Sequence, residues 1–227
     1  MPQRAAEAWR RRPIQAASFL EGLESIEWTV EERGLAGLSD LAGIPWAMPM
    51  EKFFEAWVET VVNRVARQVG GVLKVGRRRE TVAPLSWNPP YLGSQRSLIP
   101  DVILELEDIS VIVDAKYKRH WEEFQQGQWR EQEVGLQDRH RADLLQCLAY
   151  ANLANTSNII CCLVYPCSPA TWQSLKERNQ LFHHAELPNR GRQVHVWLTA
   201  IPMGAAADSV AAPFIEQIQS LRLGATL

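Results

Sequence analysis

The stretch Ser97–Lys118, SLIPDVILELEDISVIVDAKYK, constrains this chain more than any other. It reads as two apolar strands, Leu98–Leu106 and Ser110–Lys116, bent around the acidic pair Glu107-Asp108. Charged side chains stand at its ends: Asp101 opens the first strand, and Asp114 and Lys116 close the second. Strand side chains alternate faces, so Asp114 and Lys116, two apart, point the same way. A carboxylate and an ammonium at the end of the apolar run VIVDAKY are expensive to bury unless charged or polar matter fills the gap. A divalent metal and a phosphate would fill it. An isolated Asp-x-Lys near a strand end is most often a solvated edge, so its companions along the chain decide the reading.

The first companion is a helix over Met50–Val69. At 100° per residue, Phe54, Val58, Val61, Val62, Val65 and Val69 share one arc of about 120°. Glu55 borders that arc, about 20° from Val62, whereas Glu59 points away. Val72–Arg79 alternates as a strand leading into the basic triplet Arg77, Arg78 and Arg79, and Ala83–Gly93 is a proline-rich loop. Arg96 stands just before the hairpin, where its guanidinium could meet a phosphate. Beyond Lys116, the polar segment Tyr117–Gln137 reads as a mobile excursion or a helix over the site.

Asp138 is placed to cap a second helix, His140–Ala154. Gln146 and Tyr150, four apart, share a face of it, with Asp143 one turn earlier on that side. Core packing accounts for Leu144, Leu145, Leu148 and Leu153 but does not call for Gln146. Asn158–Tyr165 is apolar throughout, as a central parallel strand would be. A short helix over Pro169–Gln180, a strand over Gln193–Ile201 and a closing amphipathic helix over Ser209–Leu223 complete an α/β pattern. His183, His184 and His195 have no metal-ligand companions at useful spacing and read as surface and strand residues. Residues 1–48, with helical stretches at Arg4–Arg12 and Ile14–Glu27 broken by Gly34, Gly37, Gly43 and Pro45, form a helical cap or the remnant of a larger region. Residues 49–227 then make the main domain.

Composition closes off several functions. At 46% apolar and 22% charged residues, the chain is an ordinary globule with ample length for a core. No apolar run approaches the roughly 18 residues needed to span a bilayer, and no apolar segment follows the basic N-terminus as a secretory signal requires. Cys147, Cys161, Cys162 and Cys167 lack zinc-ligand spacing and read as reduced core thiols of a cytoplasmic protein. A net charge of −2 means that nucleic-acid binding would rest on local basic clusters, at Arg77–Arg79 and Lys116–His120. Arg10–Arg12 reads as solvated surface. No Gly-rich phosphate loop followed by Lys-Ser/Thr occurs, which excludes a P-loop NTPase.

The order of helix, strand, hairpin, helix and strand, with acids at the junctions, resembles the PD-(D/E)xK nuclease superfamily, a restriction-endonuclease-like core with a mixed sheet flanked by helices. Pro100-Asp101 is followed thirteen residues later by Asp114-Ala115-Lys116. Glu55 in KFFEAWVE looks like the first-helix acid of that superfamily, and Gln146-Cys-Leu-Ala-Tyr150 like the Gln-x-x-x-Tyr signature of RecB-type nucleases. LIPDVIL, VIVDAKYK and ADLLQCLAYANL together are similar to McrC, the nuclease subunit of McrBC-type restriction systems. The likeness runs roughly from Met50 to Tyr165.

The resemblance implies a Mg²⁺-dependent DNA endonuclease of a restriction or phage-defence system, with Mn²⁺ as a substitute ion. Asp101 and Asp114 would supply carboxylate ligands, the Ala115 carbonyl a third, and Glu55 a further one, directly, through water or toward a second ion. Lys116 would orient the attacking water or stabilise developing charge. Gln146 and Tyr150 would position the scissile strand and a water. Arg96, Lys118, Arg119 and the Arg77–Arg79 triplet would contact phosphates, fixing register without reading bases. The expected partners are DNA, a separate NTPase or targeting subunit, and a second copy of the chain. Two alternatives stay open: an RNase or single-strand nuclease, and a non-catalytic nucleic-acid-binding subunit on the same fold.

Overall fold

The computed structural model describes residues 49–118, 134–189 and 191–224. The readings for residues 1–48, for Arg119 and for most of the Tyr117–Gln137 segment lie outside them.

The amphipathic run at Met50–Val69 forms helix α1 with the expected bounds. It stops where Gly70 takes a left-handed φ of 78° and donates its N–H to the Ala66 carbonyl at 3.0 Å. The next strand is shorter than its alternation suggests: β1 covers Val72–Val75, and Gly76–Arg78 coils into a single 3₁₀ turn. Gly76 is what the turn needs, because a Cβ there would stand 2.5 Å from the Pro100 carbonyl oxygen. The proline-rich loop is framed by a two-residue ladder between β2 (Ala83–Pro84) and β3 (Ser97–Leu98).

The hairpin is present as β4 (Val102–Glu105) and β5 (Ile109–Ala115), antiparallel, with Val102 opposite Val113. Helix α2 spans Val134–Ala151. It begins before Asp138, which therefore sits inside the helix rather than capping it, 3.6 Å from Arg141 one turn on. The helix also ends earlier than expected, Leu153 and Ala154 closing turns onto the Tyr150 and Ala151 carbonyls. Then follow β6 (Asn158–Cys167), α3 (Pro169–Glu177), β7 (Phe182–Asn189), β8 (Arg192–Pro202) and α4 (Ala207–Arg222). Strand β7 is not signalled by sequence pattern, since FHHAELPN carries neither clean alternation nor an apolar run. Its place is fixed by pairing with β8 across a tight turn that has Gly191 at φ 85°.

The six-stranded sheet has the order β1-β4-β5-β6-β8-β7. The pairs β5–β6 and β6–β8 are parallel and the other three antiparallel, which is the mixed, helix-flanked α/β sheet expected. Every residue of β5 is buried, as strands covered on both faces must be. Helix α1 packs against α4 and is pinned by the Trp57 indole N–H donating to the Pro202 carbonyl at 3.1 Å. Helix α2 lies on β5 and β6. All four cysteines are free thiols, three of them buried. Among the described residues no helix is long and apolar enough to cross a membrane.

Candidate active site

Asp101 and Asp114 face each other across the hairpin. The register that sets Val102 opposite Val113 brings Asp101 and Asp114 opposite one another one step further along. Like charges in that relation repel. The Asp101 segment is held from outside the hairpin: Gly76 N–H donates to the Asp101 carbonyl at 2.8 Å, and the Thr81 hydroxyl to the Pro100 carbonyl at 2.6 Å. The Asp101 carboxylate accepts the Ala115 N–H at 2.8 Å. Burial, then the charge of Asp114, raises the Asp101 pKa to about 7. Burial raises Asp114 as well, against the pull of Lys116.

Lys116 follows on the same face as Asp114. Its backbone N–H donates to the Val164 carbonyl at 2.8 Å, extending the pairing of β5 with β6. Its Nζ lies 2.7 Å from Asp114 Oδ2 and donates to Gln146 Oε1 at 2.9 Å. Gln146 Nε2 donates to the Tyr150 hydroxyl at 2.7 Å, and that hydroxyl to the Ile99 carbonyl at 3.4 Å. The polar face of α2 thus runs as one relay from the ammonium to the segment preceding Asp101. Burial alone would lower the Lys116 pKa, but the neighbouring carboxylates, Asp114 foremost, leave it raised and the ammonium charged. Burial likewise raises the Tyr150 hydroxyl.

These groups line one open cleft of about 370 Å³, with Glu55, Ala115, Lys118 and Asp143 in the same wall. Glu55 is half-buried, its pKa raised by burial, then by Glu51 and, more weakly, by Asp114. A larger hollow of about 640 Å³ between α3, β7 and α4 has one carboxylate in its lining, Glu216, so volume does not mark the chemistry.

The basic residues distribute differently. Lys118 reaches the cleft, where it meets Asp143 at 2.6 Å. Arg77 is taken up by Glu59, donating from Nε to Oε2 and from Nη2 to Oε1 at 3.0 Å, while Arg78 approaches the same carboxylate at 3.7 Å. Glu59, which the helical wheel points away from the apolar arc, is therefore buried and paired. Arg79 and Arg96 are exposed and outside the cleft lining.

The sequence pattern sets Asp143 on the Gln146 side of α2 but assigns it no role. It is 3% exposed and lies within reach of the Tyr165 hydroxyl, which donates to Oδ2 at 3.2 Å; that hydroxyl also stands 3.4 Å from His140 Nδ1. Its position one turn before Gln146 was the available signal.

The ordered set of cleft residues lies inside residues 39–166, which match the family model described as McrBC 5-methylcytosine restriction system component. That span is more than half of the chain. The chain belongs to the McrBC family. No curated protein matches it individually. As a McrBC-family chain it is a restriction-system component, and every cleft residue described above falls within the matched span.

Among the described residues, no three His, Cys, Asp or Glu side chains converge at metal-ligating distance. What converges is a carboxylate pair. Asp114 Oδ2 is buried without a hydrogen-bond donor in good geometry, even though Lys116 Nζ is 2.7 Å away. Two carboxylates lining an open cleft, one with a buried oxygen approached by the Lys116 ammonium, fit a hard divalent cation that keeps several waters. Glu55 stands beside the pair without completing a three-carboxylate cluster.

Proposed function

We propose that this McrBC-family chain is the nuclease component of its restriction system, a PD-(D/E)xK enzyme that hydrolyses DNA phosphodiester bonds with Mg²⁺. The observation that carries the proposal is the cross-strand pair Asp101–Asp114 with Lys116 beside it in one open cleft. Asp101, Asp114 and the Ala115 carbonyl would hold the cation, with Glu55 reaching it through water. Bound there, Mg²⁺ or Mn²⁺ supplies Lewis acidity toward the phosphate and lowers the pKa of water.

The protein's own groups do the rest. Lys116, aimed by Gln146, presents a charged ammonium where negative charge grows on the phosphate oxygens. Gln146 and Tyr150 brace the ammonium against the Ile99 segment and present polar edges to the strand. Lys118, paired with buried Asp143, gives a second cationic contact along the same wall, and Arg96 a peripheral one. Such contacts hold the backbone and read no sequence. Selection of the DNA therefore falls to other parts of the system, for which a separate NTPase subunit is proposed because the chain has no phosphate-binding loop of its own.

The test is cleavage of duplex DNA by the purified chain with Mg²⁺ or Mn²⁺, and its arrest by EDTA. An Asp114→Ala/Lys116→Ala double variant should lose at least about 10²–10³ in rate. If that variant cuts like the wild type, the assignment fails. If the purified chain cuts fully without added protein or nucleotide, the dependence on an NTPase is wrong.

A further inference from the structure

Ten large apolar side chains are exposed among the described residues, and they are unevenly spread. Five of them, Leu85, Trp87, Tyr91, Leu92 and Ile99, come from the single stretch between β2 and the start of β4. Leu92 is 77% exposed and Tyr91 59%. A sixth, Tyr117, lines the cleft. Single exposed apolar residues need no explanation, but a contiguous set does.

The loop is braced. Leu85 N–H donates to the Arg96 carbonyl at 2.8 Å, the Trp87 indole N–H to the Gln95 carbonyl at 2.9 Å, and the Gln95 amide to the Ser97 carbonyl at 2.7 Å. Trp87 and Tyr91 meet edge to face, centroids 6.3 Å apart. Gly93 leaves room for the Tyr91 ring, since a Cβ there would stand 2.8 Å from its hydroxyl. The rings are thus held outward in a fixed arrangement, which lowers the entropic cost of contact. The loop also runs straight into the cleft: Ile99 lines it, and the Ile99 carbonyl takes the Tyr150 hydroxyl.

Charge narrows the occupant. Between Glu80 and Asp101 the sequence has no carboxylate, in a chain with 26 acidic residues, and its one charged side chain is the exposed Arg96. An aromatic, acid-free, singly cationic edge suits a polyanion with flat apolar faces. A protein partner could cover Leu92 equally well, but it would not require the run to lack acids or to end at the cleft.

We propose that the 85–99 loop is the base-contacting element of this chain: bases splayed beside the cleft stack on Trp87 and Tyr91 while Arg96 meets the backbone. The placement beside a scissile phosphate rests on the nuclease reading; the binding test does not. Short single-stranded and duplex oligonucleotides carrying 2-aminopurine are titrated with the full chain in Ca²⁺, and affinity and base fluorescence are read together. Trp87→Ala and Tyr91→Ala should each weaken binding about tenfold and relieve the fluorescence quench. Arg96→Ala should lower the salt slope by about one. Melting temperatures should fall by no more than a few degrees, since Trp87→Ala and Tyr91→Ala remove only the ring pair and the indole bond to the Gln95 carbonyl of a surface loop, and Val72→Ser, an exposed apolar change on β1, should alter nothing.

Unchanged affinity and quench in the Trp87/Tyr91 double variant would overturn the proposal. So would failure of the wild type to bind either oligonucleotide, or loss of self-association or protein binding in the variants with nucleic-acid affinity intact. Loop-dependent binding by a wild type that never cuts would sustain this inference and sink the nuclease reading. Cutting by loop variants with unaltered KM and affinity would do the reverse.

Discussion

Replacing Asp101 with asparagine separates the cost of the carboxylate pair from its use. The side chain is largely buried opposite Asp114, and its pKa is raised from 3.8 to about 7. At 1.36 kcal/mol per pH unit this is a ceiling of about 4 kcal/mol against the ionised form. Water in the open cleft and relaxation of the loop reduce the expected figure to about 2 kcal/mol. The sign follows from which state holds the proton more tightly. The folded chain does, so the penalty is absent below the unfolded pKa near 3.8, grows as pH rises, and is complete above about 7. Asparagine keeps an oxygen to accept the Ala115 N–H, a bond of 2.8 Å in the wild type, and removes the charge. In EDTA at pH 8 the variant should melt about 4–8 °C above the wild type, and the gap should shrink toward pH 5. Adding millimolar Mg²⁺ should raise the wild-type melting temperature and leave the variant where it was, while cleavage is lost. A variant less stable than wild type in EDTA at pH 8, or a gap independent of pH, would refute the reasoning.

Other outcomes follow from the same geometry. Gly76→Ala should cost about 1–3 kcal/mol by forcing a methyl against the Pro100 carbonyl, and should lower activity because the displaced segment carries Asp101; thermal melts and cleavage rates check both. Asp143→Asn should release Lys118 from its 2.6 Å pair and cut catalytic efficiency about tenfold or more, with Lys118→Ala adding little to it in a double-mutant cycle. Trp57→Phe should lose about 1 kcal/mol with the 3.1 Å bond to Pro202, visible in denaturant melts, and leave cleavage at the wild-type rate.

The chemistry-bearing pattern was legible in one dimension because each part of it obeys a local rule. Alternation in the hairpin sets Asp114 and Lys116 on one face, and helical period sets Gln146 and Tyr150 on another. The apolar run at Asn158–Tyr165 announces the buried parallel strand that Lys116 joins through the Val164 carbonyl. The matching family model covers this same span.

What the tertiary structure alone decided are relations between segments that no period encodes. The basic triplet looks free in sequence, yet Arg77 is claimed by Glu59, because the chain reverses at Gly70 after α1 and the turn at Gly76 then carries Arg77 to that helix. Helical period sets Asp143 on the Gln146 side, but its partners come only with the fold, as Tyr165 and Lys118 close around it from β6 and the strand end. Strand β7 exists because β8 offers it an edge, and Asp138 fails as a cap because the helix continues past it. Local sequence fixes which way a side chain leaves its own strand or helix; which partner meets it there depends on chain segments folded in from elsewhere, and burial then sets the energy of that meeting.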